Sequence, residues 1–158
     1  MRKWLLGAAR NLANLEVHDS GTYVCMEGPA FSSRAESLMH VAWGGSLIGM
    51  TAMPEAKLAR EAEMDYAMVA MVTDYDCWRP HDPDIGQKEL LAEIIGNLDK
   101  ATQACIRLVK TALQDTSPLR SEKSPAHDAL KLAIWSKRSH IAQAEVERLA
   151  VLWGKYFQ

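Results

Sequence analysis

Along the first half of the chain, hydrophobic residues change repeatedly between helical and extended spacing. Apolar positions three and four apart predict helices over residues 1–15 and 33–43, the second capped by Ser32 or Ser33. The runs TYVCMEGP and SLIGMTAM predict two short strands, and YAMVAMVTDYD predicts a third. The segment PEAKLAREAE predicts a further short helix between the second and third strands. This alternation, with its short connections, predicts an α/β fold with parallel strand pairing.

The second half of the chain is predicted to be helical. A three-four repeat of apolar residues predicts one long helix with a single buried face. That face comprises Leu91, Ile94, Ile95, Leu98, Ala101, Cys105, Leu108 and Val109. After the polar segment QDTSPLRSEKSP, the stretches AHDALKLAIWSK and AEVERLAVLWGKYF predict two more helices. We therefore divide the chain into an α/β part, residues 1–114, and a helical tail, residues 115–158.

Composition narrows the class of protein. With 158 residues, 48% of them hydrophobic, and a formal net charge of -2, the chain can bury one core. Its Lys and Arg residues are scattered, which argues against a nucleic-acid partner. Three cysteines without a CxxC spacing favour a reduced, cytoplasmic protein. No apolar run approaches the length of a membrane span, so we expect neither export nor membrane insertion.

Two carboxylates, Asp74 and Asp76, follow the third predicted strand directly. Because side chains alternate along a strand, both would point to the same side, about 6.5 to 7 Å apart. They would also lie at the carboxyl end of a parallel strand, where open α/β sheets bind ligands. The simpler alternative is that both are turn residues, helix caps or solvated side chains.

The other two predicted strands also end in residues that suit a ligand. Phe31 and Ser32 follow the first strand, and Met50 and Thr51 follow the second. Together with the two acids, these groups would suit a flat polar heterocycle joined to a small sugar. The aromatic ring would stack on the heterocycle, Thr51 would form a hydrogen bond, and the acids would contact ring nitrogens.

Three His-Asp pairs and one cysteine receive simpler interpretations. His18-Asp19, His81-Asp82 and His127-Asp128 have no partner at metal-ligand spacing, so we expect no metal site. Cys77 is expected to be a small core residue rather than a reactive thiol.

Three motifs carry a resemblance to a known family. The segments GTYVCMEGPAFSSRAES, IGMTAMPEAKLAREAE and TDYDCW, in this order and spacing, closely resemble the C-terminal half of the methylthioadenosine phosphorylases, within the trimeric purine nucleoside phosphorylase family. The resemblance implies the family's three-layer fold, a mixed sheet flanked by helices, and a homotrimer. It implies phosphorolysis of S-methyl-5'-thioadenosine to adenine and 5-methylthioribose 1-phosphate, with phosphate as co-substrate and no cofactor.

The resemblance also implies a role for individual residues. Asp74 is the general acid that protonates N7 of the purine, and Asp76 holds the amino side of the base. An Asn at position 74 would suit a 6-oxopurine, so Asp favours adenine. The implied substrate contacts are Phe31 and Ser32 for the base, Met50 and Thr51 for the sugar, Thr73 at the base end of the third strand, and Gln87 and Leu90 for the methylthio group. Ala30 stands where the family has Arg, and the loop RPHDPDIG departs from the family's sequence.

The family's phosphate site has no counterpart among these motifs. It uses a Gly-rich loop with Arg, His and Thr residues from the N-terminal half of the fold. We therefore expect the chain to correspond to a C-terminal portion that lacks the phosphate-binding half. The hypotheses are a phosphorylase whose other half is supplied by another chain or lost in an incomplete gene model, a catalytically inactive nucleoside-binding or vestigial fragment, and a purine nucleoside or methylthioinosine phosphorylase, which Asp74 disfavours.

Overall fold

The computed structural model describes residues 1–80, 82–121 and 123–157, which form α-helices of 4 to 26 residues and a small parallel sheet. In chain order the helices and strands are α1 (Arg2–Arg10), β1 (Tyr23–Cys25), α2 (Arg34–Ala42), β2 (Leu47–Gly49), α3 (Glu55–Glu61), α4 (Gln87–Ala112), α5 (Ser117–Ser121), α6 (Gln143–Arg148) and α7 (Ala150–Trp153), with 3-10 helices at Pro125–Asp128, Arg138–His140 and Gly154–Tyr156. The strands β1 and β2 pair in parallel, with α2 between them in sequence. The predicted α/β class is confirmed. No helix of the described residues is long and apolar enough to cross a membrane.

Local sequence signals explain the boundaries of α2. The Ser33 side chain accepts from the Glu36 backbone, and the Ser33 N–H donates to the Glu36 carboxylate at 2.7 Å, which completes a capping box. Hydrogen bonds from Ser33, its backbone N–H first, lower the pKa of Glu36. At the other end, Gly44 adopts a left-handed φ of 84°, which lets the chain leave the helix and enter β2. The predicted serine cap is therefore confirmed at Ser33.

The prediction that a third strand joins the sheet is wrong. Residues 64–73 form no ladder with β1 or β2 in the described structure. Over residues 64–70 the exposure nevertheless alternates with a period of two, since Ala67 and Val69 are half-buried while Tyr66 and Met68 are exposed. The sequence pattern thus reports an extended chain correctly. A ladder also requires a neighbouring strand, which a pattern within one segment cannot specify.

The core lies where α1 crosses α4. Ala8 and Ala9 of α1 pack against Leu108 and Ala112 of α4, and Val69 lies at the edge of this cluster. The small alanine side chains allow the two helices to approach closely. This contact fixes α4 beside residues 64–73 and so determines where the end of that segment lies.

The prediction of one buried face on α4 is wrong for half of its members. Four of the eight predicted residues are exposed: Leu91, Ile95, Leu98 and Val109. For Leu91, Ile95 and Leu98 the physical reason is length, whereas Val109 follows the buried Leu108 and is turned from it by about 100° around the helix. A nine-residue helix such as α1 spans about 13 Å, whereas α4, with 26 residues, spans about 39 Å. α1 can cover only part of the apolar stripe.

The tail is less regular than predicted. Residues 125–133 form a 3-10 helix and turns instead of an α-helix, and the last predicted helix is divided into α6, α7 and a 3-10 helix. One cause is that the Leu130 N–H donates to the Glu63 carboxylate at 2.9 Å and is not available to a helical carbonyl. Contacts with distant residues therefore decide the backbone conformation of the tail.

Glu63, just after α3, is the main attachment point of the tail. It is only 8% exposed and has a left-handed φ of 55°. Besides the Leu130 N–H, its carboxylate binds Lys155 Nζ at 2.6 Å and accepts a hydrogen bond from the Tyr156 hydroxyl. Three donors from the tail therefore converge on one buried carboxylate, which compensates for its loss of hydration.

A second set of contacts lies beside the first. Asp65 Oδ2 lies 3.2 Å from Nε2 of His127, and Asp65 also accepts from the Ser124 hydroxyl. Trp153 Nε1 donates to the Glu61 carbonyl at 3.1 Å. The connection between α3 and the extended segment is thus held to the tail at several points.

Glu63 is expected to make the stability of the chain depend on pH below about 4.5. Burial raises the pKa of Glu63, but hydrogen bonds from Lys155, Tyr156 and Leu130 outweigh it and lower the pKa from 4.5 to about 2. Because the folded-state pKa lies below the unfolded value, this contribution is full above pH 4.5 and is lost as pH falls towards 2. Glu63→Gln should therefore be less stable than wild type near neutral pH, and the difference should shrink with acidification.

Urea unfolding of both proteins across this pH range measures the effect. Glu93→Gln is the matched control, because Glu93 is an exposed residue on α4 and its replacement should leave the pH dependence of wild type unchanged. A constant difference between wild type and Glu63→Gln at all pH values would contradict the assignment.

Candidate functional site

The carboxyl ends of β1 and β2 lie side by side. In the parallel register Cys25 is opposite Gly49, and the Met26 N–H donates to the Gly49 carbonyl at 3.0 Å. The segments that carry Phe31 and Met50 therefore leave the sheet at the same edge. Met50 packs so closely on Gly28 that a Cβ there would lie 2.1 Å from the Met50 methyl carbon. Gly28 also has a φ of 73°, so this turn requires glycine.

Residues 73–78, here called the acidic segment, join the same edge. The Cys77 thiol donates to the Ser32 carbonyl at 3.2 Å, and the Trp78 N–H donates to Ser37 Oγ at 3.1 Å. Arg34 Nη1 donates to the Cys77 carbonyl at 3.4 Å. The acidic segment therefore lies directly against the loop that carries Phe31. Cys77 itself is exposed, so its prediction as a core residue is wrong; its thiol makes a polar contact at the surface instead.

The two aspartates differ in their surroundings. The chain bends at Asp74, so the extended geometry assumed for both residues ends there. Asp74 is exposed, and its Oδ1 accepts from the Thr73 hydroxyl at 2.5 Å. Asp76 is half-buried, and its carbonyl accepts from the Arg79 N–H at 3.2 Å, which closes a turn. The Asp74 carboxylate is therefore accessible to solvent or to a ligand, whereas Asp76 is partly buried.

Aromatic rings surround the acidic segment. Phe31 is 85% exposed, so its ring is free to stack on a flat ligand. Tyr75 packs edge-on against Trp78 with ring centroids 5.8 Å apart, and the Arg79 guanidinium lies 4.3 Å from the centre of the Tyr75 ring. These contacts stiffen the end of the acidic segment.

Seven of the nine predicted site residues occupy the three neighbouring segments. Ser32 is half-buried and its hydroxyl contacts Met26 Sδ at 3.6 Å, while Met50 and Thr51 are exposed after β2. Gln87 and Leu90 lie instead in the first turn of α4. They are about 15 and 10 Å along the helix axis from Asn97, which contacts Thr73. Among the residues that the structure describes, no hydrogen bond or ion pair joins Gln87 or Leu90 to the other seven.

Two further polar residues were not found by the sequence interpretation. Ser37, 1% exposed, binds the acidic segment at Trp78, and Asn97 Nδ2 donates to the Thr73 carbonyl at 2.8 Å. The available signal was weak: each is a polar residue at a helical position that faces the protein interior.

The predicted absence of a metal site stays a prediction. His18 Nε2 lies 3.7 Å from Glu16 Oε1, and His127 pairs with Asp65. His81 lies outside the described residues. Across the part of the chain that the structure describes, no three His, Cys, Asp or Glu residues gather as a metal site.

Comparison with known proteins assigns the class. A family model described as the phosphorylase superfamily matches residues 1–114. The chain belongs to the phosphorylase superfamily, which confirms the resemblance drawn from the three motifs.

Within that superfamily, the similar relatives carry one name. The chain is 44% identical over 146 residues to an S-methyl-5'-thioadenosine phosphorylase of Thermosynechococcus vestitus, covering 92% of this chain and 49% of that protein. It is 46% identical over 153 residues to the protein of that name in Chloroflexus aurantiacus, covering 97% and 51%. The chain thus spans about half the length of these relatives.

Solved structures show the same likeness. A methylthioadenosine phosphorylase from an antarctic soil metagenomic library superposes with a TM-score of 0.75 at 38% identity, over 95% of this chain and 51% of that one. The methylthioadenosine phosphorylase of Schistosoma mansoni in complex with adenine gives a TM-score of 0.65 at 28% identity, over 89% and 52%. The phosphorylase fold of the chain is therefore supported by both sequence and structure.

Proposed function

We propose that this chain forms the base-binding and sugar-binding part of a methylthioadenosine phosphorylase. Phosphorolysis would convert S-methyl-5'-thioadenosine and phosphate to adenine and 5-methylthioribose 1-phosphate. The observation that carries the proposal is the convergence of three segments at one edge of the sheet, bearing Phe31, Met50 and Asp74. The names of the similar relatives support it.

The proposed chemistry uses the residues as follows. Cleavage of the bond between sugar and base leaves negative charge on the purine, and a proton delivered to N7 by Asp74 relieves that charge. Thr73 orients Asp74 through the hydrogen bond between them. Asp76 accepts from the amino group of adenine, and Phe31 stacks on the ring.

The remaining contacts in this proposal concern the sugar and its substituent. Ser32 lies beside the base, Met50 and Thr51 contact the ribose, and Gln87 and Leu90 reach the methylthio group. Phosphate is the nucleophile, and the reaction needs no cofactor. The proposal includes a homotrimer in the cytoplasm, supported by the resemblance to a trimeric family.

A second candidate is a purine-nucleoside-binding protein without catalytic activity. It is favoured by one observation: Asp74, the proposed proton donor, is exposed, and its Oδ1 accepts from the Thr73 hydroxyl. A phosphorylase for 6-oxopurine nucleosides is less well supported, because an aspartate at position 74 suits the donor and acceptor pattern of adenine.

Two measurements on the purified chain test these candidates. Calorimetry with adenine reports base recognition, and chromatography of S-methyl-5'-thioadenosine incubated with and without phosphate reports phosphorolysis. The proposal predicts adenine binding and phosphate-dependent release of adenine. Binding without release would favour the second candidate, and the absence of adenine binding by the folded chain would contradict both.

A further inference from the structure

The acidic segment is fastened at both of its ends by side chains from two different helices. Asn97 of α4 binds its first residue, Thr73, and Ser37 of α2 binds its last, Trp78. Asp74 and Asp76 lie between these two attachment points. None of the site roles described above involves Ser37 or Asn97.

At the first end, two consecutive hydrogen bonds connect Asn97 to Asp74 through Thr73. Asn97 Nδ2 donates to the Thr73 carbonyl at 2.8 Å, and the hydroxyl of the same Thr73 donates to Asp74 Oδ1 at 2.5 Å. Asn97 is half-buried on a helix that the α1–α4 core holds in place. It therefore fixes the peptide from which the Asp74 side chain is oriented.

At the other end, the side chain that makes the attachment is almost completely buried. Ser37 is 1% exposed, and its Oγ accepts the Trp78 N–H at 3.1 Å. Ser37 lies on the helix that begins immediately after Phe31 and Ser32. Because the Cys77 thiol also donates to the Ser32 carbonyl, this end of the acidic segment is held in a fixed position beside the loop that carries Phe31.

We propose that Ser37 and Asn97 are positioning residues, which hold Asp74 and Asp76 in place beside the loop that carries Phe31 before a purine binds. This inference rests on the proposed function. The acidic segment bends at Asp74, which is exposed, and the ring contacts of Tyr75 with Trp78 and Arg79 stiffen only the end that follows Asp74. A displacement of about 1 Å at such a site can lower the reaction rate by about 100-fold. Holding both ends of the acidic segment would prevent such a displacement.

The test compares Ser37→Ala and Asn97→Ala with two matched controls. Met39→Ala truncates a side chain that is 42% exposed on the same helix as Ser37, two residues further on and so on the opposite side of the helix. Gln103→Ala alters an exposed side chain on the same helix as Asn97. All four variants are first compared with wild type by thermal unfolding, so that losses of stability can be matched.

Two further readouts separate positioning from a general loss of stability. The first is amide hydrogen exchange over residues 73–78 in the free protein, which is expected to accelerate by about tenfold in Ser37→Ala and Asn97→Ala, the loss of one hydrogen bond. The second is adenine affinity by calorimetry, which is expected to weaken by about tenfold in the same two variants. Both controls should keep wild-type values in both readouts.

The outcomes are distinct. Unchanged exchange over residues 73–78 in both variants would overturn the inference, and so would faster exchange with unchanged adenine affinity. Equal losses of affinity in Met39→Ala and Ser37→Ala would assign the effect to stability and would also overturn it. If wild type binds no adenine, the proposed function fails and the positioning role with it, while the exchange data still show whether the two contacts hold the segment.

Discussion

Asp74→Asn is expected to lower phosphate-dependent release of adenine from S-methyl-5'-thioadenosine by about 10²- to 10⁴-fold, the usual contribution of a general acid. An amide has the size of a carboxyl group but cannot transfer a proton to N7. Its NH2 group can donate to an oxygen acceptor, so the variant should also shift its preference towards nucleosides of 6-oxopurines. The measurement is kcat/KM for methylthioadenosine and for methylthioinosine with each protein.

Asp99→Asn provides the control for this prediction. Asp99 is exposed on α4, so its replacement removes the same charge from the chain away from the acidic segment. It should leave both rates unchanged. If the chain binds adenine without turning substrate over, the same pair of variants can be compared by adenine affinity. Wild-type activity in Asp74→Asn would show that another group supplies the proton.

The parts of the fold that could be predicted from the sequence are those determined by residues close together in the chain. The start of α2 depends on Ser33 and Glu36, three residues apart, and its end depends on Gly44. The strands β1 and β2 are short apolar runs bounded by Gly or Pro. In each case the residues that decide the structure are close in sequence, so the pattern contains the information.

The parts that the sequence does not predict depend on distant partners. Glu63 follows a short charged helix and has the pattern of a solvated residue, yet it is buried because three donors more than 60 residues away reach it. The exposed half of the α4 stripe cannot be distinguished from the buried half without knowing the length of α1. The burial of Glu63 and the exposure of part of α4 both depend on contacts between elements distant in sequence. The periodicity of one segment does not specify such contacts.

The same distinction applies to the candidate site. The residues after the first two predicted strands could be grouped because parallel strands bring their carboxyl ends together, whereas the acidic segment reaches the same place through hydrogen bonds of Cys77 and Trp78. The bend at Asp74 and the attachments by Ser37 and Asn97 could not be predicted, because they arise from hydrogen bonds between separate elements. Gln87 and Leu90 rest on the resemblance alone.

Leu108→Ala is expected to lower the free energy of unfolding by about 2 to 5 kcal/mol, because Leu108 is 6% exposed in the cluster between α1 and α4 and its truncation leaves a cavity. Leu91→Ala is the matched control, the same substitution on the same helix at a residue that is 56% exposed, and it should cost about 1 kcal/mol or less. Urea unfolding of the three proteins measures both effects, with equal m-values as the check that the unfolding transition is unchanged. Equal losses for the two variants would mean that the exposed half of the α4 stripe is covered in solution, which would contradict a core confined to the α1–α4 contact.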